Sequence, residues 1–415
     1  MRYLAAMLPD AIILQNYRSF VEPVELELRP VTMLFGINNS GKSALLRALP
    51  LIADSVAPDV RGALDMNSHT IQRATFSQLR WHRPGPDDEQ DLIVGVRWGD
   101  STARYFITQD FKRIVVRRLQ LDGDEWVWFP RREEARSPAL TYTSSAGETQ
   151  IEFRGLVPHQ SKIPALESLH ERLVEGMRGT VLWLRAVRAK PERTLTVANL
   201  QTWQMVEDGA DVAEVLAGNP DILAEVSAWY EANIARRLSI EPVSTSDPNK
   251  VRLALRPTGA AALDIDLLDS GEGIIQVLPV LTALSMASRW KEGGPRVLVI
   301  EEPESHLNPR LQRALAERIA AVAAQPDPPR LFLETHSLHL LAAIQLLVVD
   351  PDSLLKTDSV RIYWVHQDET GRSLAEAITL DEQARFQGPW PHDVFTDLQQ
   401  MARDLLNARR ARHEG

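Results

Sequence analysis

The chain has 415 residues, 44% hydrophobic and 25% charged, with a formal net charge of −10. That balance is globular, large enough for more than one lobe, and too acidic for a protein whose main task is coating nucleic acid. With no cysteine, disulfides, thiolate metal sites and cysteine nucleophiles are excluded, which fits a reducing cytoplasm.

No apolar run is long enough to span a bilayer. The best one, Ile274 to Ala287, is broken by Gln276, Pro279, Thr282 and Ser285. The N-terminus carries Arg2 and a short Leu4–Leu8 patch without a sustained apolar region, so no signal peptide is read and a cytoplasmic protein is expected. Basic residues cluster at Lys112, Arg113, Arg117 and Arg118, at Arg131 and Arg132, at Arg185, Arg188 and Lys190, and at Arg409, Arg410 and Arg412. Each reads as a solvated face; together they leave DNA or RNA contact open.

In chain order, Ala11–Tyr17 and Val24–Leu28 read as short strands, the second alternating apolar and acidic as a half-buried strand does. The apolar run Val31–Phe35 then leads into Gly36-Ile37-Asn38-Asn39-Ser40-Gly41-Lys42-Ser43, and helix formers follow from Ala44. Strand, G-x-x-x-x-G-K-S, helix is the phosphate-cradling loop of P-loop NTPases. Its backbone N–H groups and the helix N-terminus face an anion together. Lys42 is expected to neutralise the β- and γ-phosphates of ATP, and Ser43 to ligate Mg2+. Pro50 is expected to end or kink this helix.

From Leu92 to Phe153 several short strands separated by Gly-Asp and Asp-Gly turns predict an antiparallel meander, after a surface loop at Pro84–Glu89. Helices are expected at Ile163–Met177, at Asp211–Ala217 with Asp211 as N-cap, and at Asp221–Leu238, with a strand at Val181–Leu184. The α/β pattern returns with strands at Val251–Arg256, Leu263–Leu267, Arg296–Ile300 and Arg330–Glu334, and a final one at Val360–Val365. Helices are expected at Ile274–Trp290, Pro309–Ala323 and Leu338–Leu347, with an amphipathic helix from Asp393 to Arg410.

Val297–Ile300 ends in Glu301-Glu302-Pro303, acids at the C-terminal end of a buried strand, where open α/β sheets bind ligands. Successive strand residues point to opposite sides, so Glu301 is assigned to Mg2+ and Glu302 to the attacking water. Leu331–Glu334 repeats the pattern and ends at His336, which could reach a γ-phosphate or the lytic water. Asp269-Ser270-Gly271-Glu272-Gly273 opens a helix; alone it reads as a cap.

The order Walker A, Ser-Gly-x-Gly before a helix, Walker B with adjacent acids, then a strand-end His resembles the ABC-type ATPase heads of the SMC/RecF class. Asn16-Tyr17-Arg18-Ser19-Phe20 is similar to the N-terminal segment of those heads, and Glu302-Pro303-Glu304-Ser305-His306-Leu307-Asn308-Pro309 to the run from Walker B into the D-loop. Within the class the chain resembles the OLD-like ATPases, many of them in bacterial anti-phage loci. Leu184–Arg193, Gly273–Pro279 and Gly388-Pro389-Trp390-Pro391 add to the likeness.

The resemblance implies an α/β fold, an ABC-type head with a mixed sheet and an antiparallel β-subdomain. Residues 1–60 and 246–415 would form the ATPase core with a C-terminal extension, 61–160 an antiparallel β extension, and 161–245 a mainly helical insertion. It implies nucleotide contacts from Gly36, Asn38, Asn39, Ser40, Gly41, Lys42, Ser43 and Arg18. Glu302 and His336 would be catalytic, Ser43 and Glu301 would bind Mg2+, and Ser305 and Asn308 would form the D-loop. The signature residues Ser270, Gly271 and Gly273 would act in trans, across an ATP-sandwich homodimer.

The chain departs from the pattern at Glu301, where transporter heads have Asp. It also has Ser-Gly-Glu-Gly as signature, Asn308 at an expected Asp, and Leu338 where this group often has Glu. Gln78 is the candidate for the Q-loop. No Toprim nuclease is read after His336, since Asp350, Asp352 and Asp358 fall in an expected loop, and His306, His336, His339 and Glu304 match no established ligand spacing. The expected function is a slow, Mg2+-dependent ATPase whose dimerisation and hydrolysis switch a separate effector such as a nuclease or toxin, in anti-phage defence or DNA maintenance. The alternatives are a nucleotide-locked scaffold with little turnover and a RecF-like DNA-repair clamp.

Overall fold

The computed structural model describes residues 8–81, 91–131, 134, 137–159, 161–197, 201–244, 246, 247, 249–259 and 263–391. The first strands are β1 (Ala11–Gln15), β2 (Val24–Glu27) and β3 (Val31–Gly36), and α1 (Lys42–Asp54) follows the glycine-containing loop. A single turn, α2 (Phe76–Leu79), precedes the meander of β4 (Leu92–Trp98), β5 (Ser101–Asp110), β6 (Arg113–Leu121), β7 (Asp124–Trp128), β8 (Ala139–Ser144), β9 (Gly147–Arg154) and β10 (Val157–His159). Next come α3 (Pro164–Met177), β11 (Val181–Leu184), β12 (Leu195–Thr196), α4 (Val212–Gly218), α5 (Pro220–Ile234), β13 (Arg236–Pro242), β14 (Lys250–Pro257) and β15 (Ile265–Asp266). The last third holds α6 (Glu272–Ser288), β16 (Val297–Glu301), α7 (Pro309–Ala323), β17 (Arg330–Thr335), α8 (Leu338–Val349), β18 (Val360–Gln367), β19 (Ser373–Leu380) and β20 (Phe386–Gln387).

The seven-stranded sheet runs β11-β16-β17-β3-β18-β19-β20, with its first five strands parallel and the last two antiparallel. The nine-stranded sheet, β10-β9-β8-β7-β6-β5-β4-β1-β2, is antiparallel throughout. A small third sheet joins β12, β14, β13 and β15. This is the α/β arrangement with an antiparallel subdomain expected of an ABC-type head.

Two cores sit on opposite faces of the seven-stranded sheet, and the period of two along each strand sorts its residues between them. Met33, Leu298, Ile300, Leu331 and Leu333 join a core with α4 to α8. Leu34, Val297, Val299 and Phe332 face the other way, onto Leu45, Leu46, Leu49 and Ile52 of α1 and the inner face of the nine-stranded sheet. So α1 is clamped between two sheets, and whatever the parallel strands present on that side at their C-terminal ends must meet α1.

Several expectations are corrected. Pro50 does not end α1, which continues to Asp54 with Pro50 buried inside it. The predicted helix over 221–238 stops at Ile234; Ala235 takes a left-handed φ of 53°, and Arg236–Pro242 is a strand. Asp211 precedes α4, but its carboxylate accepts from Val206 N rather than capping the helix. Val360–Gln367 is not the last strand, since β19 returns antiparallel beside it. Val181–Leu184, within the span expected as a helical insertion, is the edge strand of the nucleotide sheet, its apolar residues paired with Val297–Ile300 of β16. The expected loop at 84–89, the expected helix at 393–410, Arg132, and Arg409, Arg410 and Arg412 lie outside the described residues.

Candidate active site

The loop after β3 is built as a phosphate cradle requires. Ile37, Asn38 and Asn39 are exposed along it, while Ser40 and Lys42 are buried at its base. Gly41 caps α1 with φ 103°, a left-handed conformation that a side chain would strain. A Cβ there would also come within 2.9 Å of the Phe20 ring and of Ser373 Oγ. Phe20, from the Asn16–Phe20 segment, therefore backs the loop, and Ser19 and Ser373 share a hydroxyl hydrogen bond of 2.7 Å behind it. Lys42 Nζ donates to the Ile37 carbonyl at 2.6 Å, curling over the loop. Burial pulls the Lys42 pKa down, against the pull of Glu334 and Glu302.

The acids come next. Glu301 ends β16 and Glu334 lies near the end of β17, and the two are register partners on adjacent strands. Both continue the α1-facing series, after Val299 and Phe332. On α1, Ser43 and Arg47 stand four residues apart, hence on one helix face. Each meets one acid. Ser43 Oγ donates to Glu334 Oε1 at 2.7 Å. Arg47 grips Glu301 bidentately, Nε to Oε1 at 2.6 Å and Nη2 to Oε2 at 2.8 Å. Trp183 Nε1 and the Ala186 N–H also donate to Glu301, at 3.1 and 3.3 Å. The carboxylate that reaches Ser43 is Glu334, while Glu301, the acid assigned with Ser43 to Mg2+, is gripped by Arg47. The Glu334 pKa is raised to about 7: burial above all, and the Glu301 charge, raise it against the Ser43 hydrogen bond and the charges of Lys42 and Arg47. Burial, the largest influence, lowers the Arg47 pKa, but the hydrogen bond and charge of Glu301 together with the charges of Glu334 and Tyr17 leave it raised.

Glu302 follows the strand with a left-handed φ of 43°, so its carboxylate is not carried on the α1 side with Glu301. Its backbone N–H bonds the Glu334 carbonyl at 2.8 Å, and its Oε2 accepts from Ser305 Oγ at 2.8 Å. His336 Nε2 lies 3.8 Å from Glu302 Oε1. Burial and Lys42 lower the His336 pKa, against Glu302 and a hydrogen bond to the Gly36 backbone. Lys42, Glu302 and His336 thus converge at the C-terminal ends of β3, β16 and β17.

Arg188 organises the turn beneath them. It is 4% exposed, and its Nη2 donates to the carbonyls of Glu301 and Glu302 at 2.6 and 3.1 Å. Burial lowers its pKa to about 10. Glu304, buried and raised by that burial, accepts from Thr335 Oγ1 and from the His336 N–H. Sequence reasoning gave Arg47, Arg188 and Glu334 no role. The available signal for Arg47 was its spacing of four from Ser43.

The remaining predicted residues are placed as follows. Asn308 is the N-cap of α7, its Oδ1 accepting from Leu311 N at 3.1 Å with Pro309 at the first helical position. Ser270 Oγ donates to the Leu267 carbonyl at 2.6 Å, and Gly271 precedes α6. Gly273 packs so closely that a Cβ would stand 2.3 Å from the His306 carbonyl oxygen, tying the signature to the D-loop turn. Among the described residues no hydrogen bond or ion pair joins Ser270–Gly273 to Gly36–Ser43. Arg18 reaches the carbonyls of Gln78 and Ile71 at 3.3 and 3.5 Å rather than the phosphate loop. The Gln78 side chain closes a capping box on Thr75.

Several clustered basic residues are already engaged. Arg117 pairs with Asp91, Arg118 lies 3.6 Å over the Phe106 ring, and Arg113 donates to the Ser137 carbonyl at 3.0 Å. Among the described residues no group of His, Asp or Glu forms a further metal cluster, and no helix is long and apolar enough to cross a membrane.

Residues 31–342 match the family described as AAA domain, putative AbiEii toxin, Type IV TA system. No curated protein matches the chain. Among solved structures it is similar to an SMC head bound to the C-winged helix domain of ScpA, at 11% identity over 90% of this chain and 98% of that one, TM-score 0.47. It is similar also to the Pyrococcus furiosus Smc head with an extended coiled coil bound to the C-terminal domain of ScpA, at 10% identity over 97% and 99% of the two chains, TM-score 0.48. The SMC head domain from Thermotoga maritima aligns at 11% identity over 90% and 99%, TM-score 0.40.

Proposed function

The chain belongs to the family described as AAA domain, putative AbiEii toxin, Type IV TA system, and on that premise we propose a Mg2+-dependent ATPase whose ATP-driven dimerisation and hydrolysis switch a separate effector. The observation that carries the reading is the convergence of Lys42, Ser43, Glu302 and His336 at the ends of three neighbouring parallel strands. In the mechanism, the loop N–H groups and Lys42 bind the β- and γ-phosphates. Glu302 orients and polarises the attacking water, and His336, 3.8 Å from Glu302 Oε1, contacts the γ-phosphate or that water. Ser43 would help to hold Mg2+, which would supply positive charge to offset that of the phosphates. The buried carboxylate oxygen of Glu334 without a hydrogen-bond partner supports a cation at this position.

Among the described residues Ser270, Gly271 and Gly273 make no hydrogen bond to the phosphate loop of their own chain. From the order of the motifs along the chain we read them as acting in trans, on ATP held by a second copy. Ser305, bonded to Glu302, would carry the state of that interface to the catalytic acid. Asn308, as a helix cap, would hold the D-loop in shape. The toxin–antitoxin setting in the family description supports a toxin-like or nuclease effector, in defence against phage or in DNA maintenance.

Phosphate release by the purified chain tests the enzyme. Turnover with ATP and Mg2+ is expected, falling about 100- to 10,000-fold in Glu302→Gln with ATP binding retained. Binding without any turnover in the wild type would leave a nucleotide-locked scaffold in its place.

A further inference from the structure

A buried carboxylate has about four lone-pair sites to satisfy. Glu301 has four donors on them: Arg47 Nε, Arg47 Nη2, Trp183 Nε1 and the Ala186 N–H. It is 3% exposed and fully engaged. Glu334, one strand nearer the phosphate loop and 4% exposed, has one donor, Ser43 Oγ, on Oε1. Its Oε2 is buried with no hydrogen-bond partner. Lys42, the closest cation, spends its ammonium on the Ile37 carbonyl. A buried carboxylate oxygen left without a donor is costly, and beside Ser43 and the phosphate loop a bound cation would offset that cost.

We propose that Glu334, with Ser43, holds the Mg2+ of the nucleotide site, directly or through a metal-bound water, and that Glu301 instead fastens α1 to the sheet through Arg47. The assignment rests on the ATPase reading above. Mg2+ takes oxygen ligands, keeps several waters, and is typically bound by one or two carboxylates plus substrate phosphates. Ser43 Oγ and Glu334 Oε2 supply such a partial shell from adjacent elements. Glu301 could join it only by releasing Arg47, which would leave a buried guanidinium and a backbone N–H without their acceptor. The spacing of four residues between Ser43 and Arg47 assigns one acid to each, in the register set by Glu301 opposite Glu334.

The test is the affinity of a non-hydrolysable ATP analogue, measured with Mg2+ and again with EDTA, for the wild type, Glu334→Gln and Glu301→Gln. Glutamine at 334 keeps a carbonyl acceptor for Ser43 and replaces the second carboxylate oxygen with a neutral amide nitrogen, which cannot ligate a cation. The ratio of the two affinities is expected to fall about 10- to 100-fold in Glu334→Gln, with the EDTA affinity unchanged. Glu301→Gln is expected to keep the wild-type ratio while lowering the thermal midpoint. A ratio lost in Glu301→Gln, or kept in Glu334→Gln, overturns the assignment. If Glu334→Gln does not fold, Glu334→Asp asks the same question, since it withdraws the charge from Ser43 by one methylene and must also lower the ratio. A wild type that binds the analogue in neither condition removes the ATPase reading itself, a result distinct from any of these.

Discussion

Glu301 and Glu334 stand side by side on neighbouring strands, equally buried and facing the same helix, yet they are satisfied differently. Glu301 is closed off by Arg47, Trp183 and the Ala186 N–H; Glu334 keeps one oxygen without a partner beside the phosphate loop. The lesson is that burial alone does not identify a ligating acid. Only the accounting of donors separates a structural carboxylate from one held ready for a ligand.

The largest effect expected bears on the acid just outside this pair. Glu302→Gln should cut turnover about 100- to 10,000-fold while Arg47→Met leaves the chemical step of folded enzyme far less affected, as single-turnover assays would show. If Arg47→Met lowers single-turnover rates as much, Glu301 is not merely structural. The next largest is in stability. Arg47→Met strands a buried carboxylate and should cost about 3 kcal/mol by denaturant unfolding. Glu334→Gln should move stability the opposite way in EDTA, a gain of about 1 kcal/mol from removing an under-satisfied buried charge. Two losses of equal size would erase the contrast between the acids. The smallest effect concerns Asn308, whose role is read as a cap. Asn308→Ala should cost about 1 kcal/mol in thermal or denaturant unfolding, and Asn308→Asp, which can still cap, should cost little of it.

Much of this site was legible before the structure because its signals are local. Gly36–Ser43 lies between an apolar strand and a helix, Val297–Glu301 and Arg330–Thr335 are strands close to the predicted bounds, and α7 begins at Pro309 behind its Asn cap. What was not legible depends on which elements meet. Strand alternation sets Glu301 apart from Glu302 on paper, where the structure does so by ending β16 at Glu301 and giving Glu302 a left-handed φ. Neither feature says that Arg47 stands opposite the first. That follows only once β17 lies between β3 and β16, with α1 packed across them. Arg188 was hidden for the same reason: its partners are backbone carbonyls of Glu301 and Glu302, which carry no side-chain signature. Pro50 and Pro279 both sit inside helices buried in the cores, where tertiary packing overrides the usual breaker.

On the function proposed above, the phosphate loop is half of a site whose other half, Ser270–Gly273, comes from a second copy. The direct measurement is sedimentation of Glu302→Gln, which should hold ATP without consuming it, with ATP and Mg2+ and again without nucleotide. A dimer is expected with ATP, lost without nucleotide and lost in the double variant carrying Ser270→Arg. A species whose mass is the same with and without ATP would contradict it.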